Sequence, residues 1–258
     1  MTTIAFKSVS KEYGGVRVLE DISLELADHE FLGVVGPSGA GKSTFLRLLL
    51  SQEQPTHGKI LIDGQPIAPE PSQDRGVVFQ RYSVFPHLSV LRNVTLGREW
   101  AKAPLTGRLR GQERGEVEAE AMRLLERVGL GSSADKFPHQ LSGGMQQRLA
   151  IAQALIVRPK VLLLDEPFGA LDPHTRKSMH HLVRELWEEN QMTIVMVTHD
   201  LSEAFSLSTR VIAIDKIRYD PQDPTAYGSR IVSDIEAKSK IVRESRKAEA
   251  VRMLEAVA

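Results

Sequence analysis

Gly36-Pro37-Ser38-Gly39-Ala40-Gly41-Lys42-Ser43, followed by Thr44, restricts the folds open to this chain more than any other stretch. It matches GxxxxGK[ST] in full and lies between the apolar runs Phe31-Leu32-Gly33-Val34-Val35 and Thr44 to Leu50. A strand, a glycine loop and a helix in that order let backbone N–H groups close around phosphate oxygens, with the helix N-terminus adding partial positive charge. Lys42 can then reach the β- and γ-phosphates, and the Ser43 hydroxyl can ligate Mg2+. The same residues without flanking strand and helix would read as a glycine-rich turn. In this context they predict a Mg2+–nucleoside triphosphate, ATP or GTP, bound on an α/β core.

Size and charge fit that reading. A chain of 258 residues suits one medium domain or a core with a subdomain. Its 41% apolar and 26% charged residues are ordinary for a globular protein. The formal net charge of +0 argues against a broad nucleic-acid-binding field. The absence of cysteine excludes disulfides, thiol catalysis and cysteine-type zinc sites. The eight histidines lack zinc-ligand spacing, which favours surface or packing roles for most of them. No apolar run approaches the roughly 20 residues of a membrane-spanning helix. The opening MTTIAFKSVS lacks the pattern of a secretory signal. The expectation is a cytoplasmic, soluble chain, for which any membrane role must come through a partner.

Periodicity sketches the rest. Residues 3–32 alternate loosely between apolar and polar around Gly14-Gly15, as antiparallel strands with a turn do. Gly58 to Gly64 reads as a hairpin strand ending at an Asp-Gly turn, and Gly76-Val77-Val78-Phe79 as a buried strand. From Val84 to Leu155 the chain is rich in Arg, Glu and Leu, with Met122, Leu124, Leu125 and Val128 at helical spacing, and 101–115 reads as a loop before that helix. Val161 to Leu164 and Thr193 to Val197 are short apolar runs suited to strands covered on both faces. After Asp220, Pro221 and Pro224 favour an extended link, and Ile241, Ala248, Val251 and Leu254 could line a final helix packed on its own domain. A regulatory or partner-binding helix is the competing reading of that tail. The result is an α/β core interrupted by a mainly helical insertion.

Two further segments carry chemistry. Asp165-Glu166 ends the run Val161 to Leu164: a carboxylate there can hold Mg2+, which is Asp165, and Glu166 is placed to polarise a water for in-line attack on the γ-phosphate. On its own such a pair would read as a solvated turn or cap; the upstream phosphate loop and downstream Ala170-Leu171-Asp172 favour catalysis. Leu141-Ser142-Gly143-Gly144-Met145-Gln146-Gln147-Arg148 reads as a turn entering a helix near Ser142, with Gly143 and Gly144 leaving its start bare for a phosphate. A capped helix with flexible glycines is the plainer alternative. Since one ATP does not need two anion sites in one chain, the economical reading is a head-to-tail dimer in which each copy closes the other's site.

The phosphate loop, LSGGMQQR and Asp165-Glu166, in that order, resemble the nucleotide-binding subunit of an ATP-binding cassette (ABC) transporter over about residues 3–215. Met145 departs from LSGGQ at a position that varies in the family. The resemblance implies a RecA-like P-loop core with an antiparallel β subdomain and an inserted α-helical signature subdomain. It divides the single ATPase domain into a core (1–84 and 156–219), a helical subdomain (85–155) and a tail (220–258). It makes Glu166 the catalytic base, Gln80 the γ-phosphate and Mg2+ sensor, His199 the switch histidine and Tyr13 the ring stacked on adenine. Gly36 to Thr44, Ser142, Gly143, Gly144 and Asp172 become the nucleotide-binding set, and Ser43, Gln80 and Asp165 the metal-binding one. Partners implied are a second ATP-binding subunit (homo- or heterodimer), permease subunits at the cytoplasmic face of the inner membrane, and a periplasmic or extracellular substrate-binding protein, with no nucleic acid. Arg75 to Gln80 and the single cassette resemble nitrate/sulfonate/taurine importers, Phe85-Pro86-His87-Leu88 amino-acid or polyamine importers, and Arg218-Tyr219-Asp220-Pro221 cassettes linked to urea or guanidine uptake. An exporter ATPase, or a soluble ABC ATPase acting on DNA or ribosomes, remains the alternative.

Overall fold

A computed structural model describes residues 2–80, 83–103, 109–218, 220–223 and 225–237. The proposed final helix through Ile241, Ala248, Val251 and Leu254 lies outside them, as do Tyr219 and Pro224. Contacts divide the chain into two compact units: Met1–Ser72, Leu163–Glu166 and Gln191–Ala258 form the first, Gln73–Leu162 and Pro167–Asn190 the second.

The first unit opens with β1 (Ile4–Tyr13) and β2 (Val16–Leu26), paired antiparallel from Ile4↔Leu26 to Tyr13↔Val16. Gly14 and Gly15, at φ 55 and 85, form the two-residue turn whose twist suits a tight hairpin. β3 (Phe31–Val35) leads through the glycine loop to α1 (Lys42–Leu49); β4 (His57–Ile62) and β5 (Gln65–Pro66) follow, joined at Asp63-Gly64, also left-handed at φ 53 and 76. The first sheet has the order β2-β1-β4-β5. It meets α1 where Phe6 and Phe45 stack at 4.6 Å between centroids, both almost fully buried.

In the second unit, β6 (Arg75–Val78) precedes α2 (Val90–Lys102), α3 (Gly111–Arg127) and α4 (Gly143–Leu155). The segment 101–115 is thus not one loop: α2 runs through Lys102 and α3 starts at Gly111. The i,i+4 contacts Gln112–Glu116 (3.1 Å) and Arg114–Glu118 (2.8 Å) support a polar first turn that apolar periodicity misses. Val117, Ala121, Leu125 and Val128 make the buried stripe, with Met122 and Leu124 half-buried beside it.

β7 (Val161–Asp165) begins in the second unit, where the Lys160 and Val161 N–H groups donate to Asp74 O at 2.8 and 3.0 Å. α5 (Pro173–Asn190) belongs to the second unit; β8 (Thr193–Val197), α6 (Leu201–Leu207), β9 (Arg210–Asp215) and β10 (Arg230–Glu236) complete the first. The first unit's second sheet runs β10-β9-β3-β8-β7. β3 pairs parallel with β8 and β9, and every residue of β3 and β8 is buried, as strands covered on both faces require. β10, in a tail read from sequence as an extended link and helix, pairs antiparallel with β9. Its edge is fixed by a two-pronged Arg210–Asp234 pair at 2.7 and 2.6 Å and by Ile235 against the cluster around Phe205.

Gly58 has φ +78, and a Cβ there would stand 2.2 Å from Ser8 O. Gly58→Ala is therefore expected to cost on the order of 2–4 kcal/mol of stability, read as a lower denaturant midpoint, through strain and a backbone collision.

Candidate functional site

The phosphate loop is shaped by close approaches. At Gly36 a Cβ would lie 2.2 Å from Ile214 O on β9, and at Gly41 2.7 Å from Leu19 Cδ2 on β2. Gly41 is the N-cap of α1 in left-handed conformation (φ 85), and no side chain caps the helix. Lys42 is buried, its Nζ donating to Gly36 O (2.8 Å) and Pro37 O (2.9 Å), so the loop curls around the ammonium group. Burial pulls the Lys42 pKa down, while the Glu166 and Asp165 carboxylates act against it. Ser43 is exposed at the helix start; Thr44 is buried.

The acidic pair stands at the end of β7. Burial, and next the Glu166 charge, raise the Asp165 pKa; Arg47 and Lys42 oppose both. Glu166 takes φ 45, a left-handed conformation that costs a residue with a side chain on the order of 1–3 kcal/mol. Its N–H donates to Val197 O at 2.9 Å, tying it to β8. His199 follows β8, and its Nδ1 lies 3.4 Å from Glu166 Oε2, with the imidazole 65% exposed and the carboxylate 24%. The first unit thus brings together Gly36 to Thr44, Asp165, Glu166 and His199.

Tyr13, at the end of β1, is in the same unit. Its hydroxyl donates to Glu53, and Lys11 Nζ lies 5.0 Å from the ring centroid. Burial, then the hydrogen bond to Glu53, raise its pKa, whereas Thr44 lowers it. The residue is 38% exposed. Arg47, beside Asp165, and Glu53, beside Tyr13, complete this side of the site. Sequence reasoning missed both, because neither sits in a recognisable spacing.

Ser142, Gly143, Gly144, Asp172 and Gln80 lie in the second unit. Ser142 is the N-cap of α4, its Oγ accepting from the Met145 N–H at 3.4 Å. A Cβ on Gly144 would stand 2.4 Å from Thr175 Cγ2 of α5, so this glycine has a packing reason beside any ligand-binding one. Arg148 reaches Val128 O (2.8 Å) and Ser178 Oγ (2.7 Å), anchoring α4 to its neighbours. Asp172 caps α5, accepting the His174 and Thr175 N–H groups at 3.1 Å each; the Thr175 hydrogen bond is first among the causes that hold its pKa low. Gln80 is exposed after β6.

A magnesium ion suits the first unit's donors. Asp165 and Ser43 could offer it hard oxygen ligands, and a cation there would offset the burial, and next the Glu166 charge, that raise the Asp165 pKa. Among the described residues no cluster of three or more His, Cys, Asp or Glu forms a separate metal site. No helix among them is long and apolar enough to cross a membrane.

The Asp165 shift has a stability consequence. A carboxyl group whose pKa is raised on folding costs stability when ionised, and the cost vanishes once the pH falls below its unfolded value of about 4. Asp165→Asn without nucleotide should therefore melt above the wild type at neutral pH. That advantage should shrink towards zero as the pH is lowered to about 4. Thermal melts across that range check it, and an advantage independent of pH would contradict the burial cause.

The chain matches the protein-family model described as ABC transporter over residues 19–169. The glutamine transport ATP-binding protein GlnQ of Escherichia coli is 44% identical over 222 residues, covering 83% of this chain and 88% of the relative. The sulfate/thiosulfate import ATP-binding protein CysA of Thermosynechococcus vestitus is 40% identical over 215 residues, 83% of this chain, which spans only 61% of that relative's length. Among solved structures, the dimeric post-hydrolysis state of an ATP-binding cassette bound to ADP and Pi matches with TM-score 0.72 at 30% identity, covering 92% of this chain and 99% of that one. The cassette cbiO1 of Clostridium perfringens, part of the ABC transporter complex cbiONQ, matches with TM-score 0.77 at 25% identity, covering 97% and 94%. A family match across more than half of the chain, on a P-loop α/β fold shared with these cassettes, makes this protein a member of the ABC transporter family and a Mg2+-dependent ATPase within it.

Proposed function

We propose that this chain hydrolyses ATP to energise a membrane importer of a small polar solute. The observation that supports the catalytic half is the convergence, in one unit, of buried Lys42, half-buried Asp165 and strained Glu166 with His199 Nδ1 3.4 Å away. In the proposed reaction the loop N–H groups and Lys42 hold the β- and γ-phosphates, and Tyr13 stacks on adenine. Ser43 and Asp165 would hold Mg2+, which would neutralise phosphate charge, and Gln80 is proposed as the γ-phosphate and Mg2+ sensor. Glu166 accepts a proton from the attacking water as its oxygen bonds to the γ-phosphorus. The bond to the β–γ bridging oxygen breaks, leaving ADP and inorganic phosphate. His199 contacts the γ-phosphate beside Glu166.

Ser142, Gly143, Gly144 and Asp172 are proposed to act on the nucleotide of a second subunit, closing a head-to-tail dimer. The dimeric cassette among the similar structures supports this. Permease subunits at the cytoplasmic face of the inner membrane, reached through the region from Gln80 to Leu91, and a substrate-binding protein complete the assembly. A cassette that is part of a transporter complex supports the permease partner. For cargo, relatives named for glutamine and for sulfate/thiosulfate transport support import of a small polar solute. Finer readings within that class, proposed on sequence likeness alone, are a nitrate/sulfonate/taurine cargo from Arg75 to Gln80 and a urea or guanidine cargo from the segment beginning at Arg218. Importer names among the relatives favour this reading over an exporter.

Glu166→Gln should bind ATP with near-normal affinity while kcat falls at least about 100-fold, and it should accumulate an ATP-dependent dimer by light scattering. Ordinary turnover would sink the base assignment; a monomer under ATP would sink the shared-site reading. Lys42→Ala should lose nucleotide binding by roughly 100-fold or more, measured by titration with a fluorescent ATP analogue, because a charge-assisted phosphate contact disappears.

A further inference from the structure

The His199 imidazole is 65% exposed and has Glu166 as its near neighbour at 3.4 Å. An exposed ring between a strand and a helix stays in place only if its backbone is fixed on both sides. On one side stands Thr198, 2% exposed, whose N–H donates to Val34 O of β3 at 3.1 Å. Its hydroxyl donates to Glu203 Oε2 at 2.6 Å and accepts the Asp200 N–H at 3.1 Å. On the other side Asp200, held by that bond, caps α6 by accepting the Ser202 and Glu203 N–H groups at 2.8 and 3.1 Å. Glu203 is only 5% exposed, and a buried carboxyl group is unfavourable unless hydrogen-bonded. Packing alone would be served by valine at 198. The hydroxyl adds a bridge that spans His199, from the Glu203 carboxyl through Thr198 Oγ1 to the Asp200 N–H.

We propose that Thr198 and Glu203 are positioning residues for ATP hydrolysis, clamping the chain on either side of His199 so that its ring meets Glu166 and the γ-phosphate. The inference rests on the assignment of His199 to hydrolysis given above. The β-branched Thr198 contributes a stiff χ1, so the hydroxyl keeps one direction, and Glu203 is fixed in the first turn of α6. Small errors in the placement of a reacting group are costly, which is why a residue touching no substrate can govern the rate.

The test uses the full chain with ATP and Mg2+. Thr198→Val preserves volume and removes the hydroxyl; kcat should fall about tenfold with KM for ATP changed by less than about twofold. Thr198→Ser should restore most of kcat. Introduced into His199→Ala, Thr198→Val should cause no further loss, because its effect runs through the ring. The His199 C2–H proton resonance should shift in Thr198→Val and return in Thr198→Ser, which keeps the experiment decisive if His199→Ala is too slow to assay. Glu203→Ala should behave as Thr198→Val does, and Glu203→Gln, which keeps an acceptor oxygen, should stay near wild type and serves if the alanine variant does not fold. Wild-type kcat and an unmoved resonance in Thr198→Val overturn the proposal, as does an equal loss in the His199→Ala background. Undiminished turnover in His199→Ala itself would instead overturn the site assignment, so the two failures are told apart by that single variant.

Discussion

The site depends on three buried strands, neighbours in one sheet, that release the chain at the same end. Thr198 N–H bonds Val34 O at 3.1 Å, and Glu166 N–H bonds Val197 O at 2.9 Å. These last rungs of the ladder fix where β3, β8 and β7 release the chain. The phosphate loop, the acidic pair and His199 are therefore set in register by backbone hydrogen bonds between strands buried almost throughout. Such strands have little freedom to slide, because a one-residue slip would exchange the side chains on both faces. The candidate site residues sit at or just beyond the end of that ladder, where the backbone is free to take conformations such as the left-handed one at Glu166.

Charge arrangement follows from that placement. Burial acts first against the charged forms of Lys42 and Asp165; the Glu166 and Asp165 carboxylates then act on Lys42, and Glu166, Arg47 and Lys42 act on Asp165. Opposite charges compensate only partly: Lys42 is held by loop carbonyls at 2.8 and 2.9 Å, and the Asp165 pKa stays above its ordinary value. A magnesium triphosphate brings both the anion that Lys42 suits and the cation that Asp165 suits. The left-handed backbone of Glu166 adds local strain, a cost the surrounding sheet sustains.

Glycines show how one residue type answers two demands. Gly36 and Gly41 are read from the motif as phosphate-binding positions, and each sits where a side chain would collide with β9 or β2. Gly144 was legible as a bare helix start, whereas its collision partner, Thr175, is 31 residues away on another helix and invisible to local spacing. Asp172 likewise reads from sequence as a nucleotide contact, and its geometry adds a helix cap. The polar first turn of α3 and the edge strand β10 escaped pattern reading because their stabilising partners, a polar i,i+4 pair and a distant strand, leave no apolar period.

Sequence by itself determined the strand–loop–helix of the phosphate site, the order of the acidic and signature segments, and the alternation of buried strands with helices. These are local: a glycine loop, a run of four or five apolar residues, or a cap can be recognised from a few neighbours. Only tertiary structure decided that His199 stands beside Glu166, that Thr198 and Glu203 bracket it, that Arg47 and Glu53 attend Asp165 and Tyr13, and that the tail returns as β10 on β9. The physical reason is that these contacts join residues far apart in the chain or across a turn. Their energies come from pairing and burial that exist only once the sheet has formed.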